Sequence, residues 1–194
     1  MTLRNLGIAP RAAICFTVMA LLVLFLGVMS LNKMADLNQS TTSIAADGLV
    51  PTLLLGELAD TTTRFRTMSY VVLVNRAPAD VAKAEARLDV LTKKANRIVE
   101  DYAPLVSGEE EAGKFRQFKE AMGNYLIAQN KLLEVSRAGR DAEIPGLISG
   151  DLKRYSDQMA PLLEWMLEVN RKDSEASVVD AGNQYVTARN IIVA

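Results

Sequence analysis

Residues Ala12 to Leu31, AAICFTVMALLVLFLGVMSL, carry no charge. About twenty residues of helix rise roughly 30 Å, the thickness of a bilayer's hydrocarbon core. Leucine, valine, phenylalanine and methionine point in every direction around this stretch, whereas a helix at the surface of a soluble protein keeps one polar side. The segment is therefore expected to be a transmembrane helix. A cleaved leader would have a shorter apolar core and a small-residue site of A-x-A type after it. Asn32, Lys33, Met34, Ala35 and Asp36 stand there instead. Arg4 and Arg11 precede the span and only Lys33 comes closely after it, so the positive-inside rule predicts a cytoplasmic tail over 1–11 and an exported remainder.

Past the anchor, the chain is patterned throughout for amphipathic helices. Met34, Leu37, Thr41, Ile44, Gly48, Pro51, Leu55, Leu58, Thr62, Phe65, Ser69 and Val72 recur at alternating spacings of three and four, a heptad seam. This unbroken pattern predicts one long first helix that carries on from the membrane. Pro51 lacks an N–H and crowds the carbonyl of Asp47, so a kink is expected there, eased by Gly48; the alternative is a true break at Asp47-Gly48. Asn75-Arg76-Ala77 is a turn, with Pro78 at the first position of the next helix.

The second seam reads Val81, Ala84, Leu88, Leu91, Ala95, Ile98, Tyr102 and ends at Pro104. Ser107-Gly108-Glu109-Glu110 reads as a capping box, Ser107 at the N-cap and Glu110 at N3. Glu109, Glu110 and Glu111 together suit the positive end of a helix. The third seam is Phe115, Phe118, Met122, Tyr125, Gln129, Leu132, with Gly139 as its C′ residue. A turn with a loose helical start is expected over 140–150. The fourth seam is Leu152, Tyr155, Met159, Leu162, Met166, Val169, thinning to Asp173, Ala176 and Asp180, with Pro161 as a second candidate kink. Ile191-Ile192-Val193-Ala194 after Arg189 read as the first turn of a second, truncated span.

Four amphipathic helices joined by short turns predict an all-α, up-down-up-down antiparallel four-helix bundle continuous with the N-terminal transmembrane helix. The expected organisation is a tail over 1–11, a span over 12–31, a bundle over 32–189 and the start of a return span over 190–194.

Composition removes several kinds of function. The formal net charge is −1, and the balance argues against a nucleic-acid binder, which needs a basic face. Histidine is absent and the single cysteine, Cys15, lies in the span. The commonest general base, the commonest metal ligand and any disulfide are thus missing from the exported part. No nucleophile–base pair, phosphate loop or metal cluster is present in the sequence, so no enzyme, catalytic residue, metal site or cofactor is expected.

Leu49-Val50-Pro51-Thr52 and Arg64-Phe65-Arg66 in the first bundle helix are followed by Asn170, Ala176, Ala181, Tyr185 and Ala188-Arg189 in the last. In the order and spacing of these residues the chain resembles the ligand-binding module of bacterial methyl-accepting chemotaxis proteins. The resemblance implies a homodimer in the bacterial inner membrane with its bundle in the periplasm. It also implies a small-molecule ligand held between the first and fourth bundle helices near the dimer interface, and a signal passed to a cytoplasmic region that is not among these residues. The same module serves sensor histidine kinases and cyclic-dinucleotide enzymes. A membrane-tethered structural bundle without a ligand is the alternative from another class.

Arg66 is the leading candidate for holding a ligand. Most arginines here have a carboxylate three or four residues away: Arg64 with Asp60, Arg97 with Asp101, Arg116 with Glu120, Arg137 with Glu134, Arg154 with Asp151, Arg171 with Glu168; besides Arg66, the exceptions past the span are Arg87 and Arg189, the latter expected at the membrane edge. Arg66 instead has Thr62, Thr63, Ser69 and Tyr70 at those positions, which leaves its guanidinium available to a carboxylate from outside, in bidentate fashion. The alternatives are a carboxylate on a neighbouring helix, or simple solvation. The resemblance implies that arginines on this helix grip the ligand's carboxylates in amino-acid sensors, and that Tyr70 stands where an aspartate sensor has a second arginine. The expected ligand-binding set is Arg66, Tyr70, Thr63 and Arg64, joined from the fourth helix by Tyr155 and Gln158. The expected ligand is a small organic or amino acid.

Overall fold

The computed structural model describes residues 8–43, 48–74 and 77–193. Among them every regular element is helical: α1 (Ile8–Ser43), α2 (Val50–Val74), α3 (Pro78–Tyr102), α4 (Gly108–Arg137), the single turn α5 (Ile144–Leu147) and α6 (Lys153–Val193). Two compact units result, one made of 1–44 with 177–194, the other of 45–176.

The first unit contains the apolar segment. Within α1, Ala12–Ala35 is long and apolar enough to cross a membrane, and nothing in it is buried. That is the expected span, four residues longer at its C-terminal end. Met34, the first member of the expected seam, is 71% exposed; the side chains of Leu37, Thr41 and Ile44 lie outside the described residues.

The second unit is an up-down-up-down antiparallel four-helix bundle of α2, α3, α4 and the first part of α6. Of the seam, Gly48 just before α2 and Pro51, Leu55, Leu58, Phe65, Ser69 and Val72 on it are buried, and Thr62 is half-buried. Each fully buried leucine, valine or phenylalanine contributes about 1.5–3 kcal/mol. The carbonyl of Asp47, on which the question of a kink or break at Pro51 turns, lies outside the described residues; Gly48 and Leu49 just before the proline form a wide π turn. At Gly48 the chain meets α6. A Cβ placed on it would lie 1.9 Å from Ser174 Oγ and 3.1 Å from Ser174 Cα, so only glycine permits this approach.

Pro78 opens α3 as expected, after an extended Ala77. Pro104 falls in a 3₁₀ turn, Ala103–Leu105, that closes α3. All six members of the α4 seam are buried. Gly139 takes the left-handed conformation, φ 65°, just past the α4 C-cap. The turn over 140–150 is a chain of short helical pieces whose Ile144 and Ile148 are buried with Leu152.

The α6 seam is shifted from the expected one. Leu163 and Asn170 are buried, whereas Leu162 and Val169 are only half-buried. Further along, Ser174, Ser177 and Ala181 are the half-buried residues, and Asp173, Ala176 and Asp180 are exposed. After Met159 and Met166 both choices keep three-and-four spacing; the one realised puts an asparagine inside because that asparagine finds partners there.

Candidate functional site

The most polar part of the interior gathers at the α3–α4 turn. Ser107 is the N-cap residue of α4, as expected, but its partner is Glu111 rather than Glu110. Glu109 and Glu110 are exposed, while Glu111, which follows them at the same helix start, is 2% exposed. Its Oε2 accepts from the Ser107 backbone N–H at 2.7 Å and from the Ser107 hydroxyl at 3.1 Å. Its Oε1 accepts from the Tyr102 hydroxyl and, at 2.7 Å, from Asn170 Nδ2. Asn170 Nδ2 also reaches Tyr102 Oη at 3.1 Å and the Met166 carbonyl at 2.9 Å. Helices α3, α4 and α6 are thereby tied around one buried carboxylate that is fully supplied with donors, the condition for burying a charge. Burial, and then the Glu111 carboxylate, push the Tyr102 phenol far above its ordinary 10.0. Only Asn170 among these residues carried the sequence resemblance; the inward turn of Glu111 has no local signature.

The threonine-rich stretch of α2 is anchored from beneath. Phe65 is fully buried and its ring lies 5.8 Å from that of Tyr125 on α4. Ser69 Oγ and Tyr125 Oη are 3.2 Å apart. Arg64 and Arg66 flank Phe65, and both are exposed. Arg64 Nε donates to Asp60 Oδ2 at 2.7 Å, the expected surface pair. Arg66 has no ion pair among the described residues. Its charge bears on the Tyr125 phenol, where, with the Ser69 hydrogen bond, it opposes the upward push of burial. Tyr70, one turn on, is 48% exposed.

Arg97, Arg154 and Arg171 also pair as expected, with Asp101 at 3.7 Å, Asp151 at 2.9 Å and Glu168 at 2.9 Å. Two arginines depart. Arg137 forks onto Glu85 of α3 at 2.8 and 2.9 Å instead of onto Glu134. Arg116 makes no ion pair with Glu120; arginine preceding glutamate by four is the weaker order on a helix.

Two open grooves flank α6. One, of about 720 Å³, lies between α2 and α6 and includes Thr52, Thr62, Thr63, Pro161, Glu164 and Trp165. The other, of about 770 Å³, lies between α4 and α6 and includes Lys114, Gln117, Glu120, Asn124, Gln158 and Trp165. The expected ligand set is thus distributed. Thr63 lines the first groove and Gln158 the second, and neither is lined by Arg64, Arg66, Tyr70 or Tyr155. Tyr155 is engaged by its neighbour: Arg154 donates to its hydroxyl at 2.9 Å and stacks 4.7 Å from the ring. Trp165, which the seam pattern passes over, lines both grooves.

A membrane-length apolar helix and a four-helix bundle with grooves beside its last helix are the parts that a membrane-tethered sensory module needs. Residues 5–185 match the family described as a four-helix bundle sensory module for signal transduction, found in methyl-accepting chemotaxis proteins, and the chain belongs to that family. No curated protein matches it. The family is a sensory one rather than a catalytic one.

Proposed function

We propose that this chain is the input domain of a transmembrane chemoreceptor that meets a small anionic ligand in the periplasm and controls chemotaxis across the bacterial inner membrane. The observation that carries this reading is the match of the sensory module over 5–185 together with the apolar helix Ala12–Ala35. The excess of arginine before the span supports a cytoplasmic N-terminus. Arg66, exposed and without an ion pair among the described residues, is the anchor for the ligand's carboxylate, with Tyr70 beside it. A homodimer is supported by a second stripe along α2 and the turn before it, outside the core: Leu49, Leu53, Gly56, Asp60, Thr63, Thr67, Tyr70 and Val74 are all exposed and fall on one heptad-spaced track, interrupted by the single charge of Asp60.

The test has two parts. The full chain in detergent micelles is screened by thermal shift against amino acids and organic acids. A binder at a hundredfold excess over Kd stabilises by about 2.7 kcal/mol, and Arg66→Ala abolishes that shift while the unliganded melt stays the same. The chain is then joined to a chemoreceptor's cytoplasmic region, where the same acid must change kinase activity. Equal shifts in Arg66→Ala and parent remove Arg66 from the site; binding without a kinase response refutes the chemotactic output.

A further inference from the structure

The α2–α6 groove has a chemistry opposite to that of Arg66. Three threonines line it, and each hydroxyl proton is already given to a helix carbonyl: Thr52 to Gly48 at 2.8 Å, Thr62 and Thr63 to Ala59 at 3.0 and 2.9 Å. What these hydroxyls still offer is oxygen lone pairs. The groove's one cation, Arg171, is held by Glu168 at 2.9 Å and by Glu175, and Glu168 also holds Lys172 at 3.3 Å. Glu164, which lines the same groove, has no cation partner among the described residues. The rest of the lining is apolar: Ala59, Ala160, Pro161, Leu163, Trp165 and Leu167. The Trp165 indole already attracts one ammonium, that of Lys114 on α4, 5.7 Å from its ring. An acid entering this groove would meet lone pairs and an unneutralised carboxylate.

We propose that the groove between α2 and α6 binds an organic ammonium ion with an apolar body, its N–H groups directed to Glu164 and the threonine oxygens and its body against Trp165. A volume of about 720 Å³ is within the usual range for a small-molecule site. The proposal stands independently of the anion reading at Arg66.

Trp165 is the chain's single tryptophan and lines both grooves, so its emission reports binding in either, and Glu164, which lines only the α2–α6 groove, tells the two apart. Phenethylammonium and the similarly sized acid phenylacetate are titrated separately into the full chain in micelles. Phenethylammonium is expected to change the emission saturably and phenylacetate is not, a comparison that needs no variant. Glu164→Gln, an isosteric change at an exposed position, weakens the amine at least tenfold, and Arg66→Ala leaves it within twofold. A flat amine titration, an amine affinity unmoved by Glu164→Gln, or saturation by phenylacetate in place of the amine overturns the proposal. The acid screen and kinase readout for Arg66 are separate measurements, so failure of one reading leaves the other standing.

Discussion

Replacing Asn170 by alanine tests the buried knot of Tyr102, Glu111 and Asn170. The asparagine amide is 5% exposed and serves three acceptors: Glu111 Oε1 at 2.7 Å, Tyr102 Oη at 3.1 Å and the Met166 carbonyl at 2.9 Å. A hydrogen bond to a charged partner is worth about 1.5–3 kcal/mol net and a neutral one about 1 kcal/mol. The Met166 carbonyl lies on the same helix, so losing that contact costs least. Glu111 keeps its Tyr102 and Ser107 donors, which prevents a full charge-burial penalty. The expected loss is about 2–4 kcal/mol, or about 10 °C in Tm for a unit of this size. Asn170→Asp should be worse than alanine at neutral pH, because it sets a second carboxylate beside Glu111. Denaturant unfolding of the full chain in micelles, followed by Trp165 emission, measures both. A loss below about 0.5 kcal/mol for Asn170→Ala, or an aspartate variant as stable as the alanine one, would refute the view that this carboxylate ties the three helices together.

Gly48→Ala should destabilise the bundle by about 1–3 kcal/mol through overpacking against Ser174, and Ser174→Gly should return part of the loss; purely additive effects in a double-mutant cycle would contradict a direct contact. The alkaline limb comes from Tyr102 and Tyr125, both raised by burial above the ordinary 10.0. A group whose folded pKa is raised gives stability that is complete below its unfolded pKa and is lost as pH climbs past it. Stability should therefore fall above about pH 10, and Tyr102→Phe should flatten that fall, as read from melts paired with tyrosinate absorbance; an unchanged slope counts against a buried phenol at this position.

Much of the fold could be read from the chain because helix faces are a local property. Spacings of three and four picked out the buried faces of α2, α3 and α4, from Leu55 and Leu58 through Ala84 and Leu88 to Phe115 and Tyr125. Pro78, Pro104 and Gly139 marked helix ends through their own backbone limits. The apolar run from Ala12 needed nothing beyond its length and composition. The Asp60–Arg64 pair was equally legible, since both members lie on one helix face.

Tertiary packing decided what depends on how one helix is rotated against another. On α6 the pairs Leu162/Leu163 and Val169/Asn170 satisfy the same spacing, and apolarity alone favours Val169. Asn170 turns inward because Glu111 and Tyr102, from two other helices, complete its hydrogen bonds. Glu111 looks like a solvated charge at a helix start until Tyr102 and Asn170 are brought to it, and Arg137 chooses Glu85 because α3 places a carboxylate where its planar fork can take both oxygens. Residue order sets which face of each helix is apolar; only the assembled bundle sets which polar groups meet across those faces, because burying a charge is tolerable solely where distant parts of the chain supply its partners.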